Sequence, residues 1–139
     1  MGKKVLVPIA DGIEEIEAVC IIDTLRRAGA EVTVASVGTL QITGSRDVKI
    51  VADVTIASCA NVVFDAIVLP GGMPGAEHLR DSAALVAKLK EQKASDRLLA
   101  AICASPAIVL QPHGLLKNVR ATCYPAMQSQ LDTNQVSSD

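Results

Sequence analysis

One cysteine has a sequence environment that suits a nucleophile. Cys103 follows the apolar run 98–102 and precedes Ala-Ser-Pro, so the pattern predicts a strand that turns abruptly into a helix at the thiol. Such a sharp turn requires small residues two positions to either side, and Ala101 and Ser105 meet that requirement. Unpaired N–H groups at a helix start stabilise a thiolate, which predicts a lowered pKa for Cys103. The alternative is a small buried hydrophobic residue, the usual state of a free cysteine.

A carboxylate falls on a helix face that is otherwise apolar. Residues 13–27 have helical spacing, and Glu17 lies in the middle of a stripe formed by Ile13, Ile16, Cys20, Ile21, Thr24 and Ala28. An ionised carboxylate is costly to bury, so we expect its acid form to be favoured there. Beside a thiolate it could donate a hydrogen bond or act as a general acid–base. The alternative is an edge position from which Glu17 reaches water, whereas capping and the helix dipole explain Glu14 and Glu15.

A glycine-rich loop follows another predicted strand, at residues 64–69. Its adjacent glycines, Gly71 and Gly72, would let backbone N–H groups approach a ligand and form an oxyanion hole. A phosphate loop is excluded because the Gly-Lys-Ser/Thr ending is missing. We expect His78 on a surface helix and His113 at a helix stop, so the sequence predicts no Cys–His pair.

Composition and charge exclude several classes of protein. Half of the 139 residues are hydrophobic, with one Phe, one Tyr and no Trp, which suits strands built from aliphatic residues. The net charge is −2 without basic clusters, so we expect no nucleic-acid partner. No apolar run reaches the roughly 20 residues that span a bilayer, so we expect no membrane association. The four cysteines lack metal-ligand spacing, which predicts reduced thiols in the cytoplasm and neither metal nor cofactor.

The order of elements predicts a parallel α/β domain. We expect strands at 3–10, 31–37, 64–69, 97–102 and 119–123, helices at 13–27, 82–93, 104–110 and 126–131, and a hairpin joining 40–43 to 48–51. Strand–helix–strand units pair in parallel, and their carboxyl ends share the edge where ligands bind. Cys20 is expected to be buried, whereas the pattern leaves open the environment of Cys123, at a strand end. The polar residues 132–139 carry no packing signal, so we expect residues 1–139 to form a single domain that lacks its C-terminal part.

Several motifs together resemble the ThiJ/PfpI superfamily, and most closely its Parkinsonism-associated deglycase and glyoxalase III branch. They match in register from residue 3 to about residue 139 and comprise Lys3–Pro8, Asp11-Gly12-x-Glu14-x-x-Glu17, Arg26-Arg27-Ala28-Gly29, Ser45-Arg46-Asp47, Leu69-Pro70-Gly71-Gly72 and Ala100-Ala101-Ile102-Cys103. The resemblance implies a flavodoxin-like three-layer sandwich with a mostly parallel sheet, usually assembled as a homodimer.

The resemblance also implies roles for individual residues. Cys103 matches the nucleophile and oxidation-sensitive thiol, Glu17 the residue that hydrogen-bonds this thiol, and Gly72 and Ala104 the oxyanion-binding N–H groups beside Gly71. Arg46, and Arg27 from the partner subunit, match basic residues beside the pocket and the dimer interface.

Two positions depart from parts of the family. Tyr124 lies in a Cys-Tyr-Pro sequence, as in plant-like members of the family, whereas animal members have His at this position. Tyrosine is a weaker base than histidine near neutral pH. The peptidase branch has His directly after its nucleophile, whereas this chain has Ala104, which argues against protease activity.

Two functions remain open at this stage. The first is a glyoxalase III or protein deglycase that acts on methylglyoxal-type dicarbonyls or on early glycation adducts of proteins, through Cys103 and Glu17. The second is a non-enzymatic sensor of oxidative stress, in which Cys103 is oxidised to the sulfinic acid and the output is chaperone activity or signalling. A glutamine amidotransferase is disfavoured because no downstream His–Glu pair follows.

Overall fold

A parallel sheet of five strands runs through the centre of the chain. The computed structural model describes residues 2–132 and 136–137, with strands β1 (Lys4–Ile9), β2 (Glu31–Ser36), β3 (Gln41–Thr43), β4 (Lys49–Val51), β5 (Val54–Thr55), β6 (Ala66–Leu69) and β7 (Leu98–Ala101). The central sheet has the order β5-β2-β1-β6-β7, and every neighbouring pair is parallel. β3 and β4 form a separate antiparallel hairpin, as predicted for this segment.

Helices cover both faces of this sheet. They are α1 (Glu15–Arg27), α2 (Gly75–Asp81) and α3 (Ala83–Ala94), with 3₁₀ turns at Ala57–Cys59 and Pro125–Gln130 and a π-helical turn at Pro106–Leu110. Side chains alternate across β1, so Val5 and Val7 pack towards α1, while Leu6 joins the core formed with α2 and α3. The predicted three-layer α/β sandwich is confirmed. None of the helices in the described ranges is long and apolar enough to cross a membrane.

Helix α1 turns a different face to the sheet than the predicted stripe. Ala18, Ile22 and Leu25 pack against the core, whereas Ile16 is 72% exposed and Cys20 is also exposed. The predicted burial of Cys20 is therefore wrong. The helix carries apolar residues on two faces, and spacing alone cannot show which face meets the sheet.

The ends of α1 follow from local chemistry. The carboxylate of Glu14 accepts a hydrogen bond from the N–H of Glu17 at 2.8 Å, so Glu14 caps the helix and not Asp11. Gly29, with φ of 85°, ends the helix in the left-handed conformation that glycine adopts without strain, as predicted. Glu17 is thereby fixed in the first turn, next to the carboxyl edge of the sheet.

The second half of the chain departs from the prediction at several points. Residues 119–123 form no strand, and Ala121 makes only an isolated bridge to Val136. The helix expected at 104–110 is present as one π-helical turn at Pro106–Leu110, with Pro106 at its first position, where a missing N–H costs no hydrogen bond. The apolar run 98–102 is not fully buried, since β7 lies at the edge of the sheet and Leu98 is 64% exposed. Helix α2 carries His78 on its exposed side, as expected, although the bounds of this helix were not predicted.

A buried ammonium group holds the segment that leads into β6. Nζ of Lys88, on α3, donates to the carbonyl oxygens of Cys59, Ala60 and Val62 at 3.0, 3.1 and 2.8 Å. Cys59 ends the 3₁₀ turn, and its carbonyl oxygen also accepts from the N–H of Val62 at 3.0 Å. The ammonium group adds a second donor there and supplies one to the carbonyl oxygens of Ala60 and Val62, which lie beyond the turn. The path of β6, and hence of the glycine-rich loop after it, depends on this contact.

Candidate active site

Cys103 occupies a strained turn at the carboxyl end of β7. Its φ is 60°, in the left-handed region that non-glycine residues rarely adopt. Ser105 is fully buried, and its hydroxyl donates to the carbonyl oxygen of Pro70 at 2.5 Å. The carbonyl oxygen of Cys103 accepts from the N–H of Tyr124 at 2.7 Å. The predicted elbow is therefore present, and neighbouring loops hold it in place.

The surroundings of the thiol favour its protonated form. Burial raises the pKa of Cys103, and the hydrogen bond to Glu17 and the negative charge of that carboxylate raise it further. The backbone N–H groups of Gly72 and Ala104 lower this pKa in part. The predicted lowering is therefore wrong in direction. The following helix is a single turn that starts at Pro106, too short for a helix dipole to offset burial and a carboxylate.

Gly71 packs closely against both Cys103 and the carboxylate of Glu17. Oε2 of Glu17 accepts a hydrogen bond from the N–H of Gly71 at 2.7 Å. A Cβ atom added at Gly71 would lie 2.8 Å from Cβ of Cys103, and 2.9 Å from both the nitrogen of Ala104 and Oε2 of Glu17. The three groups are thus packed around a residue that has no room for a methyl group.

Two cavities open beside Cys103. One of about 340 Å³ is lined by Glu14, Ser45, Arg46, Gly72, Met73, Cys103, Ala104, Tyr124 and Met127. A second, of about 410 Å³, is lined by Glu17, Ala101, Ile102, Cys103, Thr122, Cys123 and Tyr124. Tyr124, which is half-exposed, borders both cavities. Apart from Arg27, the predicted site residues and their loops therefore meet around one sulfur.

A buried carboxylate that sequence reasoning missed fixes the turn carrying Arg46. Glu15 accepts hydrogen bonds from the N–H of Arg46 at 2.7 Å, the hydroxyl of Ser45 at 3.1 Å and the N–H of Val48 at 3.3 Å. Burial opposes its ionisation, but these hydrogen bonds outweigh burial and lower the pKa of Glu15. The sequence analysis attributed Glu15 to the helix dipole, and its spacing gives no signal of the long-range contact.

Arg27 does not reach this site within one chain. It lies in the last turn of α1, ten residues beyond Glu17, which corresponds to about 15 Å along the helix. Its guanidinium is paired with Asp23 at 2.9 Å. Its role beside the pocket of a partner subunit stays a prediction.

Neither histidine borders the two cavities beside Cys103. Nδ1 of His78 lies 2.8 Å from the carbonyl oxygen of Asp11, and Nε2 of His113 lies 2.8 Å from that of Arg80. Within residues 2–132 and 136–137, no cluster of His, Cys, Asp or Glu could hold a metal ion. The ionisable side chain next to the thiol is therefore that of Glu17.

Comparisons with known proteins agree with this geometry. The sequence profile of the DJ-1/PfpI family matches residues 3–138. Protein DJ-1 homolog B of Arabidopsis thaliana is 54% identical over 129 residues, covering 92% of this chain and 30% of that protein. The glutathione-independent glyoxalase DJR-1.2 of Caenorhabditis elegans is 35% identical over 143 residues, covering 97% of this chain and 75% of that protein.

A solved structure matches the fold closely. Oxidized DJ-1 of Toxoplasma gondii superposes with a TM-score of 0.98 and 55% identity, over 99% of this chain and 76% of that chain. The chain spans about a third of the length of the two Arabidopsis relatives that it matches.

Proposed function

The chain belongs to the DJ-1/PfpI family, and on that basis we propose that it is a cysteine-dependent, glutathione-independent glyoxalase. Its substrates would be small dicarbonyls such as methylglyoxal, or, as a protein deglycase, the early adducts that these form on proteins. The observation that carries the proposal is the Cys103 thiol, which lies between the carboxylate of Glu17 and the N–H groups of Gly72 and Ala104. The name of the Caenorhabditis elegans relative supports the same chemistry.

The first step of the proposed reaction is addition of sulfur to the aldehyde. Because the pKa of Cys103 is raised, the group that meets substrate at neutral pH is the thiol. Its proton passes to the carboxylate of Glu17 as the carbon–sulfur bond forms. The developing oxyanion is held by the N–H groups of Gly72 and Ala104, and protonation gives a hemithioacetal.

The second step moves hydrogen between the two carbonyl carbons. Glu17 removes the proton from the former aldehyde carbon and returns it to the neighbouring carbon, while the hydroxyl proton of the former aldehyde carbon moves to the former ketone oxygen; together these transfers convert the hemithioacetal into a thioester of lactate. Water then hydrolyses the thioester, releasing lactate and the free thiol. The net reaction is methylglyoxal plus water to lactate, with no cofactor.

Two further residues have proposed roles in substrate binding. The cavity of about 340 Å³ suits a three-carbon dicarbonyl, and Arg46 on its wall supplies positive charge for the ketone oxygen or the product carboxylate. Tyr124 provides a phenolic hydroxyl at the border of both cavities, where it can hydrogen-bond a substrate oxygen.

We further propose that the chain, as a single domain, acts as a homodimer in the cytoplasm. The outer face of α1 exposes Ile16 by 72% and Val19 by 49%, and a second copy would cover these apolar side chains. The same contact would carry Arg27 towards the partner's site. All four cysteines are free thiols, which favours a reducing compartment.

Loss of methylglyoxal in the presence of purified protein tests the enzyme proposal. Wild type should consume methylglyoxal and form lactate without glutathione, Cys103→Ala should be inactive, and Glu17→Gln should lose about 100-fold or more in kcat. Cys20→Ser is the matched control, because that thiol is exposed on α1, outside both cavities. Equal consumption by wild type and Cys103→Ala would refute the enzyme function.

The second candidate function is a sensor of oxidative stress. Its support is a thiol at the border of two open cavities, together with the oxidized state of the Toxoplasma gondii relative. Cys103 would be oxidised to the sulfinic acid, with Glu17 as its hydrogen-bond partner, and the output would be chaperone activity or signalling. Intact-mass titration with hydrogen peroxide tests this function; it fails if Cys103 is not the first residue to gain oxygen.

A further inference from the structure

A second thiol borders the cavity beside the nucleophile. The space of about 410 Å³ is lined by both Cys103 and Cys123, together with Glu17 and Tyr124. The other two cysteines are elsewhere, since Cys20 is exposed on α1 and Cys59 is buried in the core. Cys123 has no part in the glyoxalase reaction described above.

The backbone brings the two cysteines within reach of each other. The carbonyl oxygen of Cys103 accepts from the N–H of Tyr124 at 2.7 Å. Covalent geometry places the Cα of Cys103 about 2.4 Å from that oxygen, and the Cα of Cys123 about 2.4 Å from that nitrogen. The two Cα atoms are therefore at most about 7.5 Å apart, and a hydrogen bond that is not collinear brings them closer. Disulfide-bonded cysteines have Cα separations of about 4.4–6.8 Å.

The segment that carries Cys123 is able to make a small adjustment. It lies outside the sheet, between the isolated bridge of Ala121 to Val136 and the 3₁₀ turn that begins at Pro125. The Cys123 thiol is half-buried, and its hydrogen bond is a 3.4 Å contact with the carbonyl oxygen of Tyr124. A thiol is a weak donor, so little free energy opposes its rotation towards Cys103.

We propose that Cys123 is a resolving cysteine, which converts Cys103 oxidised by a hydroperoxide into an intramolecular Cys103–Cys123 disulfide. In the first step the sulfur of Cys103 attacks the hydroperoxide, the O–O bond breaks, and an alcohol, or water from hydrogen peroxide, leaves as the sulfenic acid forms. In the second step the thiolate of Cys123 attacks the sulfur of Cys103, the S–S bond forms and the S–O bond breaks, and hydroxide takes a proton and leaves as water. The two thiols supply the two electrons that reduce the hydroperoxide. A dithiol then reduces the disulfide and restores both cysteine thiols.

The site itself determines which of the two thiols reacts first. Burial raises the pKa of both thiols, but Cys103 also has Glu17 to accept its proton and the N–H groups of Gly72 and Ala104 to stabilise negative charge, and these groups do not act on Cys123. The disulfide would compete with further oxidation of the sulfenic acid to the sulfinic acid. Cys123 therefore protects the nucleophile from an irreversible loss.

The experiment treats the reduced full chain with increasing amounts of hydrogen peroxide, blocks the remaining thiols, and measures intact mass and peptide masses. Wild type should be about 2 Da lighter than the reduced chain before blocking, and after blocking it should carry two fewer blocking groups and yield a cross-linked peptide pair that contains Cys103 and Cys123. In Cys123→Ser and Cys123→Ala, Cys103 should gain about 32 Da, the mass of a sulfinic acid. Wild type should show no such gain at the same peroxide doses. Cys20→Ser should behave as wild type, and circular dichroism melts check that each variant is folded.

Three outcomes overturn the proposal. The first is a gain of about 32 Da on Cys103 at the same peroxide dose in wild type and in Cys123→Ser. The second is a cross-link that joins two chains and disappears in Cys20→Ser. The third is that peroxide leaves Cys103 unmodified. The inference requires only that Cys103 is nucleophilic, and not that it turns over dicarbonyls. Methylglyoxal consumption by the same reduced wild-type preparation reports on the proposed enzyme separately, so the two proposals can fail independently.

Discussion

Replacing Gly71 by alanine tests whether the site depends on the close packing of three groups. The added methyl group would lie 2.8 Å from Cβ of Cys103 and 2.9 Å from both the nitrogen of Ala104 and Oε2 of Glu17. Ordinary contacts between such atoms are about 3.5–4.0 Å. The neighbours must therefore move apart by roughly 0.5–1 Å, and two of them belong to the strained elbow.

The expected loss follows from these distances. A displacement of about 1 Å at reacting groups can cost about 100-fold in rate, so we expect Gly71→Ala to lose 10- to 100-fold, roughly, in kcat/KM for methylglyoxal. Crowding of a well-packed region costs about 1–3 kcal/mol, which lowers the Tm by roughly 4 °C per kcal/mol in a chain of this size.

Gly38→Ala is the matched control. An added Cβ at Gly38 meets nothing within 4 Å, and neither glycine has φ in the left-handed region. Both substitutions reduce the entropy of the unfolded chain equally, so their difference isolates the crowding at the site. The reasoning is refuted if Gly71→Ala matches Gly38→Ala in Tm, in turnover and in the rate at which iodoacetamide alkylates Cys103.

Three further predictions follow from buried charges. Burial and the neighbouring Glu17 both raise the pKa of Cys103. Glu17→Gln should therefore lower the pH midpoint of Cys103 alkylation, while turnover of methylglyoxal falls. An unchanged midpoint would contradict the contact between Glu17 and the thiol. Lys88→Met should lower the free energy of unfolding by about 2–3 kcal/mol in urea titrations, because three hydrogen bonds from the buried ammonium group to carbonyl oxygens are lost, whereas the exposed Lys90→Met should change it by less than about 0.5 kcal/mol. The pKa of Glu15 is below its ordinary value of 4.5, so its carboxylate stabilises the fold above that pH and this contribution is lost as pH falls through the folded pKa. Glu15→Gln should therefore be less stable than wild type at pH 7 and lose less stability on acidification; parallel pH curves would contradict this.

Much of the site could be predicted because its signals are local. An apolar strand followed by Cys103 and small residues has few alternatives to a tight elbow, and paired glycines after a strand indicate a loop that binds through its backbone. Parallel pairing then brings both to the same edge of the sheet. Glu17 was identified as unusual from the apolar residues around it, but of these Ile16 and Cys20 are exposed, so the stripe is not the face that meets the sheet.

The remainder depends on contacts between distant segments. The pKa of Cys103 is set by a carboxylate 86 positions earlier in the chain and by burial, and neither is encoded near the cysteine. Glu15 binds a turn that begins 30 positions later, and nothing in its spacing distinguishes it from a surface residue of a first helical turn. Residues 119–123 have the composition of a strand, but strand formation requires a neighbour in register, and the segment instead bonds to the elbow through the N–H of Tyr124.

The hydroxyl of Ser105 has a consequence for how substrate is received. By bonding to the carbonyl oxygen of Pro70 inside the core, it joins the loop of the nucleophile to the loop of the oxyanion donors. The bond fixes the two loops relative to each other without any contribution from a substrate. A substrate would spend none of its binding free energy on ordering the pocket, and the dipoles that face it would need no reorientation as charge develops.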